Sequence, residues 1–509
     1  MPHPGNPPPR TSAPQTVRPG SDPEERLALA EPPTSPLSTA PSWAEARERL
    51  ASAGQLHLLR FWDALDRAAR RRLASQLASV DPVNLRCTFA TATEAPWLEH
   101  DVEPEPPAVW RHPAHGGDAA PRREARDAGE AWLAQGGVAA LVVAGGQGSR
   151  LGFPGPKGAF PIGPVSQRSL FGLQAQRLRG LSQRFGSPLL WLVMTSPATD
   201  AATRALFRRE DHFGLGPAHV RFFCQASLPV LDLQGRMLLE APDRLAMAPD
   251  GHGGVLEALR THGVLEELAE RGIEVLHHYQ VDNPLIPVAD PVLLGFHRLE
   301  SAEMTCKVVA RRSPADRMGT LVRRGGGLRV VEYSEMREPQ RSARKPDGSL
   351  RLWAGSIGVH AYAPALVRRL AGAGAPGLAY HAARKRVEAL DPVGPDARPR
   401  PLDAVKLERF VFDALPFAES VAAVEARREE EYAPVKSLEG SESPRRARAA
   451  LSALYRSWLH EAGVEAPPGA VQIEVDHSRI PGPEALRERG LRSWHQAGDA
   501  IVADDGARA

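Results

Sequence analysis

Leu141-Val-Val-Ala-Gly-Gly-Gln-Gly-Ser-Arg-Leu-Gly-Phe-Pro-Gly-Pro-Lys-Gly-Ala-Phe-Pro161 is the stretch whose reading decides the fold. Four apolar residues run straight into glycines, the pattern of a buried parallel strand that ends in a tight turn. Ala144, Gly145, Gly146 and Gly148 form the turn, and the glycines let the backbone come close to a ligand. Arg150 and Lys157 follow and place two cations beyond it. Bare backbone N–H groups beside cations make a phosphate site. The stretch is not a Walker A loop, because no Lys-Ser/Thr pair stands at the required offset. It also departs from the dinucleotide fingerprint, because its glycines fall at 146, 148 and 152, one residue too long. That spacing disfavours a dinucleotide-dependent oxidoreductase, and a glycine turn that binds nothing is the remaining alternative.

Composition narrows the classes around this turn. The chain has 509 residues, enough for about two to four domains. Its formal charge of +2 supplies no basic field for nucleic acid. Cys87, Cys224 and Cys306 have neither zinc nor disulfide spacing, which suits a reducing compartment. No apolar run reaches the ~18 residues of a membrane span, and the Pro-rich N-terminus lacks the apolar stretch of a signal peptide. The expectation is a soluble cytoplasmic protein with no nucleic-acid or membrane partner; the sequence gives no oligomeric state.

Four parts are expected along the chain. Residues 1–41 are a Pro- and Ser-rich tail with too few large apolar groups to order themselves. Residues 42–133 are mainly helical: Ser42 and Glu45 have the form of a capping box, and Leu58, Leu59, Trp62 and Leu65 share a helix face. Residues 134–436 alternate strands (138–144, 189–195, 219–224, 275–281, 305–310, 328–333, 355–361) with helices (168–185, 199–209, 254–271, 364–371). That alternation implies an α/β domain of βαβ units with a mainly parallel sheet and helices on both faces, which binds ligands at the carboxyl ends of its strands. Residues 437–509 form a small C-terminal domain, with a helix near 446–462, a strand at 470–475 and a loose last ten residues.

Two further stretches carry chemistry. Ala246 to Val255 is a turn-rich loop that opens a helix. Val275 to Pro284 is an apolar strand ending in Asp282-Asn283. A carboxylate at a strand's carboxyl end, facing a phosphate site, suits Mg²⁺, which takes one or two carboxylates and fills its other positions with phosphate oxygens and water. His277 and His278 point to opposite faces of the strand, so they are structural and share no ion. Lys406 to Phe412 reads as an amphipathic helical segment whose Phe410 and Phe412 suit a core.

Taken together these stretches resemble the eukaryotic-type UDP-N-acetylhexosamine pyrophosphorylases, within the UTP–sugar-1-phosphate uridylyltransferase family. The carriers are Ala144 to Gly152 with Pro156 to Gly158, Met247 to Gly251, Val281 to Asn283, Val331 to Glu335, Lys406 to Asp413 and Tyr432 to Lys436, in unbroken order. The resemblance implies an α/β fold with a Rossmann-like nucleotidyltransferase (GT-A-like) central domain on a mixed, mainly parallel sheet, between a helical N-terminal region and a small C-terminal domain, and the reaction UTP + N-acetylglucosamine 1-phosphate → UDP-N-acetylglucosamine + pyrophosphate. It implies that the glycine loop holds uridine and triphosphate, with Arg150, Lys157 and Lys436 on phosphates. By the same match Gln225 and Gly251 contact uracil, Asp282 binds Mg²⁺, and Glu332, Phe410 and Phe412 lie at the sugar. The nucleophile, a phosphate oxygen, is already anionic, so positioning and charge cancellation replace a general base. Two residues depart from the family pattern at the sugar end. His252 and Ser356 stand where asparagine is usual, and Gly251-His252-Gly253 is closer to enzymes that make UDP-glucose or several UDP-sugars. Glucose, galactose or N-acetylgalactosamine 1-phosphate is therefore the alternative substrate, and a catalytically silent nucleotide-sugar-binding regulator the alternative role.

Overall fold

Val138 to Val143 contains no polar residue, and the computed structural model, which describes residues 43–94, 102–372, 374–375, 377–464, 472–489, 494–497 and 500–503, puts it at the centre of a nine-stranded sheet. In chain order the strands are β1 (Val138–Val143), β2 (Leu190–Thr195), β3 (Val220–Cys224), β4 (Val275–Gln280), β5 (Met304–Ala310), β6 (Thr320–Arg324), β7 (Gly327–Val331), β8 (Ala354–Tyr362) and β9 (Val421–Glu425). They lie in the order β7-β6-β8-β4-β1-β2-β3, while β5 pairs with β8 and β9. The run β3-β2-β1-β4 is parallel, with Ala140 opposite Trp191 and His277. β8 returns antiparallel beside β4.

The apolar continuity of β1 follows from burial on both faces. Val138, Ala140 and Val142 join the core that holds Trp191, Tyr279 and Leu173, while Ala139 and Leu141 join one with Leu192, Leu256 and Leu276. Helices Leu170–Phe185, Asp200–Arg209 and the pair Val255–Thr261 and Val264–Glu270 make the crossovers. The single helix expected at 254–271 is broken at Gly263, which turns the chain at φ +66. Helix Ala119–Ala134 packs against helix Pro291–Leu299 with two glycines at the crossing. A Cβ on Gly129 would sit 1.9 Å from the Pro291 carbonyl, and one on Gly295 1.6 Å from that of Ala125.

A second sheet pairs His381–Ala389 with Arg400–Glu408, and Leu231–Asp232 joins its edge. Helices Arg67–Ala78 and Pro82–Glu94 pack on it through Leu73, Leu77 and Leu85 against Leu231, Val405 and Leu407. This corrects the helical expectation for 406–412. Leu407 is buried while Lys406 and Glu408 are half-buried, the two-residue period of a strand, and the chain then turns through Val411–Phe417. Helix Pro444–Glu461 joins the main core through Leu451, Tyr455 and Leu459. Part of the supposedly loose end is also ordered. Ala500–Ala503 pairs with Gln472–Val475 and Trp494–Ala497, as suits a run containing Ile501-Val502. The tail 1–41 and Ser42 lie outside the described residues. Among those described, no helix is long and apolar enough to cross a membrane.

The glycine crossing yields a stability test. Gly295→Ala should destabilise the protein by ~3 kcal/mol or more, since the added methyl meets backbone on a facing helix. Gly327→Ala, with open space around its Cβ, should stay within ~1 kcal/mol. Chemical denaturation of both variants checks the contrast.

Candidate active site

The glycine turn leaves the carboxyl end of β1 and folds back on itself. Gly148 N–H donates to the Gly155 carbonyl (2.8 Å) and Lys157 N–H to that of Gly146 (2.9 Å). Ala144 is buried and donates to the Met194 carbonyl, and Gly146 is exposed. Gly145 is needed for close approach: a Cβ there would lie 2.6 Å from Gln225 Oε1. Gln225 follows β3, and its Nε2 donates to Asp250 Oδ1 (3.3 Å) and to the Gly251 carbonyl (3.4 Å). The expected uracil residues, from strands β1 and β3 and the loop after Met247–Pro249, are thus brought together.

That loop is fastened by Asp250. Its carboxylate pairs with Arg409, Arg409 N–H donates to the Asp250 carbonyl (2.8 Å), and Gly253 N–H donates to the Arg409 carbonyl (2.8 Å). Gly251 adopts φ +86, and a Cβ on it would stand 2.4 Å from the Arg409 carbonyl. Burial pushes the Asp250 carboxyl up, and Arg409 pulls it back. The fastening sets the His252 ring against Phe410 and Phe412, with centroids 5.2 and 5.6 Å away. His252 Nδ1 accepts the Val411 N–H (3.2 Å), which leaves Nε2 as the protonated nitrogen. Burial, and then the charge of His381, lower His252 to about 4, so it is neutral.

Asp282 follows β4 and is buried. Lys157 Nζ reaches its Oδ2 at 3.3 Å and so ties the glycine loop to it. Asn283 holds the segment after β9: its Nδ2 donates to the Glu431 carbonyl (2.7 Å), and its Oδ1 accepts the Ala433 N–H (3.1 Å). Val435 N–H donates to the Asp282 carbonyl at 2.8 Å. Lys436 is thereby carried to the same place, with its Nζ 3.0 Å from Glu442. Burial works against the Lys436 ammonium, yet Tyr432, Asp282 and Glu442 hold it above the ordinary lysine range.

Asp282, Lys436, His252, Glu332, Ser356 and Phe412 line one cavity of about 140 Å³. Glu332 stands just after β7, where burial and then the like charge of Glu335 push its carboxyl up to about 7. Ser356 is buried on β8, and its Oγ accepts the Gly358 N–H at 3.4 Å. The other expected residues are not in its lining. Arg150 lies on the exposed 149–151 turn and does not line this cavity. Phe410 stands behind His252 and Phe412 rather than at the cavity wall. Sequence reasoning missed the Asn283 clamp, the Asp250–Arg409 pair, and the wall residues Arg317 and Tyr432. Asn283, Asp250 and Tyr432 lie inside family motifs, so the strings were visible although the contacts were not; nothing marks Arg317.

Two cations, a carboxylate and bare amides at the carboxyl ends of parallel strands mark a protein that handles nucleotide phosphates. The chain belongs to the UTP–glucose-1-phosphate uridylyltransferase family, whose model matches residues 123–440. It is 39% identical over 436 residues to the human UDP-N-acetylhexosamine pyrophosphorylase-like protein 1, covering 82% of this chain and 86% of that one. It is 32% identical to the UDP-N-acetylglucosamine pyrophosphorylase of Saccharomyces cerevisiae, covering 85% and 94%. The crystal structure of the Trypanosoma brucei uridine diphosphate N-acetylglucosamine pyrophosphorylase superposes with a TM-score of 0.77 at 28% identity, covering 92% of this chain and 99% of that one.

The raised Glu332 carboxyl makes a pH prediction. A carboxyl whose folded pKa exceeds its unfolded value stabilises fully below the unfolded value, and that contribution is lost as pH rises through about 7. Glu332→Gln escapes the loss, so its stability relative to wild type should rise by ~2 kcal/mol between pH 5 and pH 8. Denaturant unfolding at the two pH values reads the difference.

Proposed function

We propose that this chain is a uridylyltransferase that makes UDP-N-acetylglucosamine and pyrophosphate from UTP and N-acetylglucosamine 1-phosphate. The observation that carries the reading is the single cavity where Asp282, Lys436, Glu332 and His252 meet beside the Lys157-tethered glycine loop. A phosphate oxygen of the sugar 1-phosphate attacks the UTP α-phosphorus, the α–β bridging P–O bond breaks, and pyrophosphate leaves with the electron pair. Lys157 and Lys436 neutralise charge on the phosphates, Arg150 meets the triphosphate from the loop surface, and in the turn Ala144 to Gly148 it is Gly145 and Gly146 that offer backbone N–H groups, those of Ala144 and Gly148 being spent on the Met194 and Gly155 carbonyls. Gln225 and Gly251 take the uracil edge.

At the sugar end, Glu332 accepts from hydroxyls, and His252 Nε2–H and the Ser356 hydroxyl are the donors suited to an acetamido carbonyl. Phe412 forms the apolar wall, and Phe410 supports it. Mg²⁺ fits as an ion that arrives with the nucleotide. Asp282 supplies one carboxylate, and among the described residues no group of three His, Cys, Asp or Glu forms a cage of its own. When bound, the ion offsets phosphate charge. Cysteines free of disulfides suit a cytoplasmic setting. His252 and Ser356 favour a second reading, in which glucose, galactose or N-acetylgalactosamine 1-phosphate serves, because both side chains are shorter-reaching or more rigid than the asparagines they replace.

Pyrophosphate release from UTP, Mg²⁺ and a panel of sugar 1-phosphates tests the reading; no release with any sugar refutes it and leaves the silent binder. Asp282→Ala should abolish turnover, and near-wild-type rates across a Mg²⁺ series would remove Asp282 from metal binding. Losing the Lys157 charge in Lys157→Ala should cost ~3–4 kcal/mol in kcat/KM. His252→Asn combined with Ser356→Asn should shift the sugar ranking towards N-acetylhexosamines, as read from the kcat/KM ratio for N-acetylglucosamine and glucose 1-phosphates.

A further inference from the structure

His381 is the first residue of the strand His381–Ala389 and is buried. Its Nδ1 lies 3.1 Å from Glu335 Oε1 and its Nε2 2.8 Å from Asp413 Oδ2. A neutral imidazole has one N–H, so two carboxylates on its two nitrogens call for the imidazolium. Burial alone lowers its pKa; the hydrogen bonds to Asp413 and Glu335 outweigh that and raise it to about 9.

The two carboxylates stand outside the cavity that holds Glu332, on two segments that each supply it a lining residue, Glu332 and Phe412. Glu335 is in one turn with Glu332: Glu332 N–H donates to Glu335 Oε2 (3.3 Å), and Glu335 N–H donates to the Glu332 carbonyl (2.9 Å). Asp413 directly follows Phe412, and its N–H donates to the Phe410 carbonyl at 3.1 Å. The His381 ring also packs on Phe410, with centroids 4.6 Å apart, and Phe410 packs in turn on His252. His381 itself does not line the cavity that holds Glu332 and His252.

We propose that His381 is a positioning residue for the sugar half of the reaction: its imidazolium, shared by Glu335 and Asp413, fixes the distance between Glu332 and the His252–Phe412 wall. This rests on the reading of that cavity as the sugar site. Glu332 is held at a set height by Glu335, and the aromatic wall by Asp413 and by the stacked rings. Without the shared cation, Glu335 and Asp413 become two carboxylates with nothing between them, and the two walls lose their common anchor. Gly145, Gln225 and Asp282 touch neither His381 nor its two carboxylates, so the effect falls first on the sugar half.

The test uses the full chain with His381→Asn and Glu335→Gln, the second serving if the first fails to fold. Steady-state kinetics give KM for UTP and for N-acetylglucosamine 1-phosphate, and calorimetry gives dissociation constants for UDP and UDP-N-acetylglucosamine. His381→Asn should raise KM for the sugar 1-phosphate at least about tenfold and leave KM for UTP within about twofold. It should also shrink the affinity gained by adding the sugar to UDP, with Glu335→Gln acting in the same direction. A folded variant with unchanged sugar KM and unchanged sugar gain overturns the proposal, as does an equal rise in both KM values. Wild-type protein that binds UDP-N-acetylglucosamine more tightly than UDP but releases no pyrophosphate refutes the proposed function, while the binding ratio still judges His381. Wild-type protein that binds both equally overturns the proposal.

Discussion

Asp250 has no exposed surface, and both of its carboxylate oxygens are used: Oδ1 accepts from Gln225 and Oδ2 from Arg409. A carboxylate taken out of water is costly to hold charged, and a guanidinium with a second donor is what keeps it so. The pair joins two segments 159 residues apart. On one side stands Gln225 beside Gly145; on the other, His252 rests against Phe410 and Phe412. The two ends of the site therefore share one buried charge as their reference. Buried ion pairs contribute little to stability when compared with apolar packing, but removing either partner leaves an uncompensated buried charge, which ties the loop to Arg409.

The remaining side of the site is set by Asn283. Its amide uses a donor and an acceptor on consecutive stretches of the segment 431–433, and the Val435 bond to the Asp282 carbonyl continues the match. Lys436 is then presented on backbone held by these three hydrogen bonds. Transition-state charge is cancelled most effectively by groups that need no reorganisation, and here the donors, the cations and the carboxylate all sit on such pinned segments.

Much of this was legible in the sequence, and the limits are physical. The strands β1 and β2 announce themselves because burial on both faces leaves them almost wholly apolar, and the end of β1 marks the glycine loop; β4 keeps an apolar start but buries His277 and His278 before Asp282. Lys406 to Phe412 suits a helix by propensity, yet Lys406–Glu408 ends the strand Arg400–Glu408, because the deciding term is a ladder with His381–Ala389 that no local window contains. The same reason hid His381. Its partners lie 46 and 32 residues away, and a histidine between two distant carboxylates has no signature until the chain is folded. Phe410 was assigned to the sugar by motif, yet the motif does not say which of two nearby rings faces the cavity.

Lys157 and Lys436 each stand against a carboxylate of the protein itself, Asp282 and Glu442. An anion that reaches either lysine takes over a cation that already has a partner. The field reaching into solvent from these two lysines is that of dipoles and dies away within a few ångströms, and the chain's formal charge of +2 adds little to it. These two lysines therefore add little to the attraction of an anion from a distance. Selection among anions falls to the exchange of partners inside the cavity, and so appears in how long a ligand stays rather than in how fast it comes.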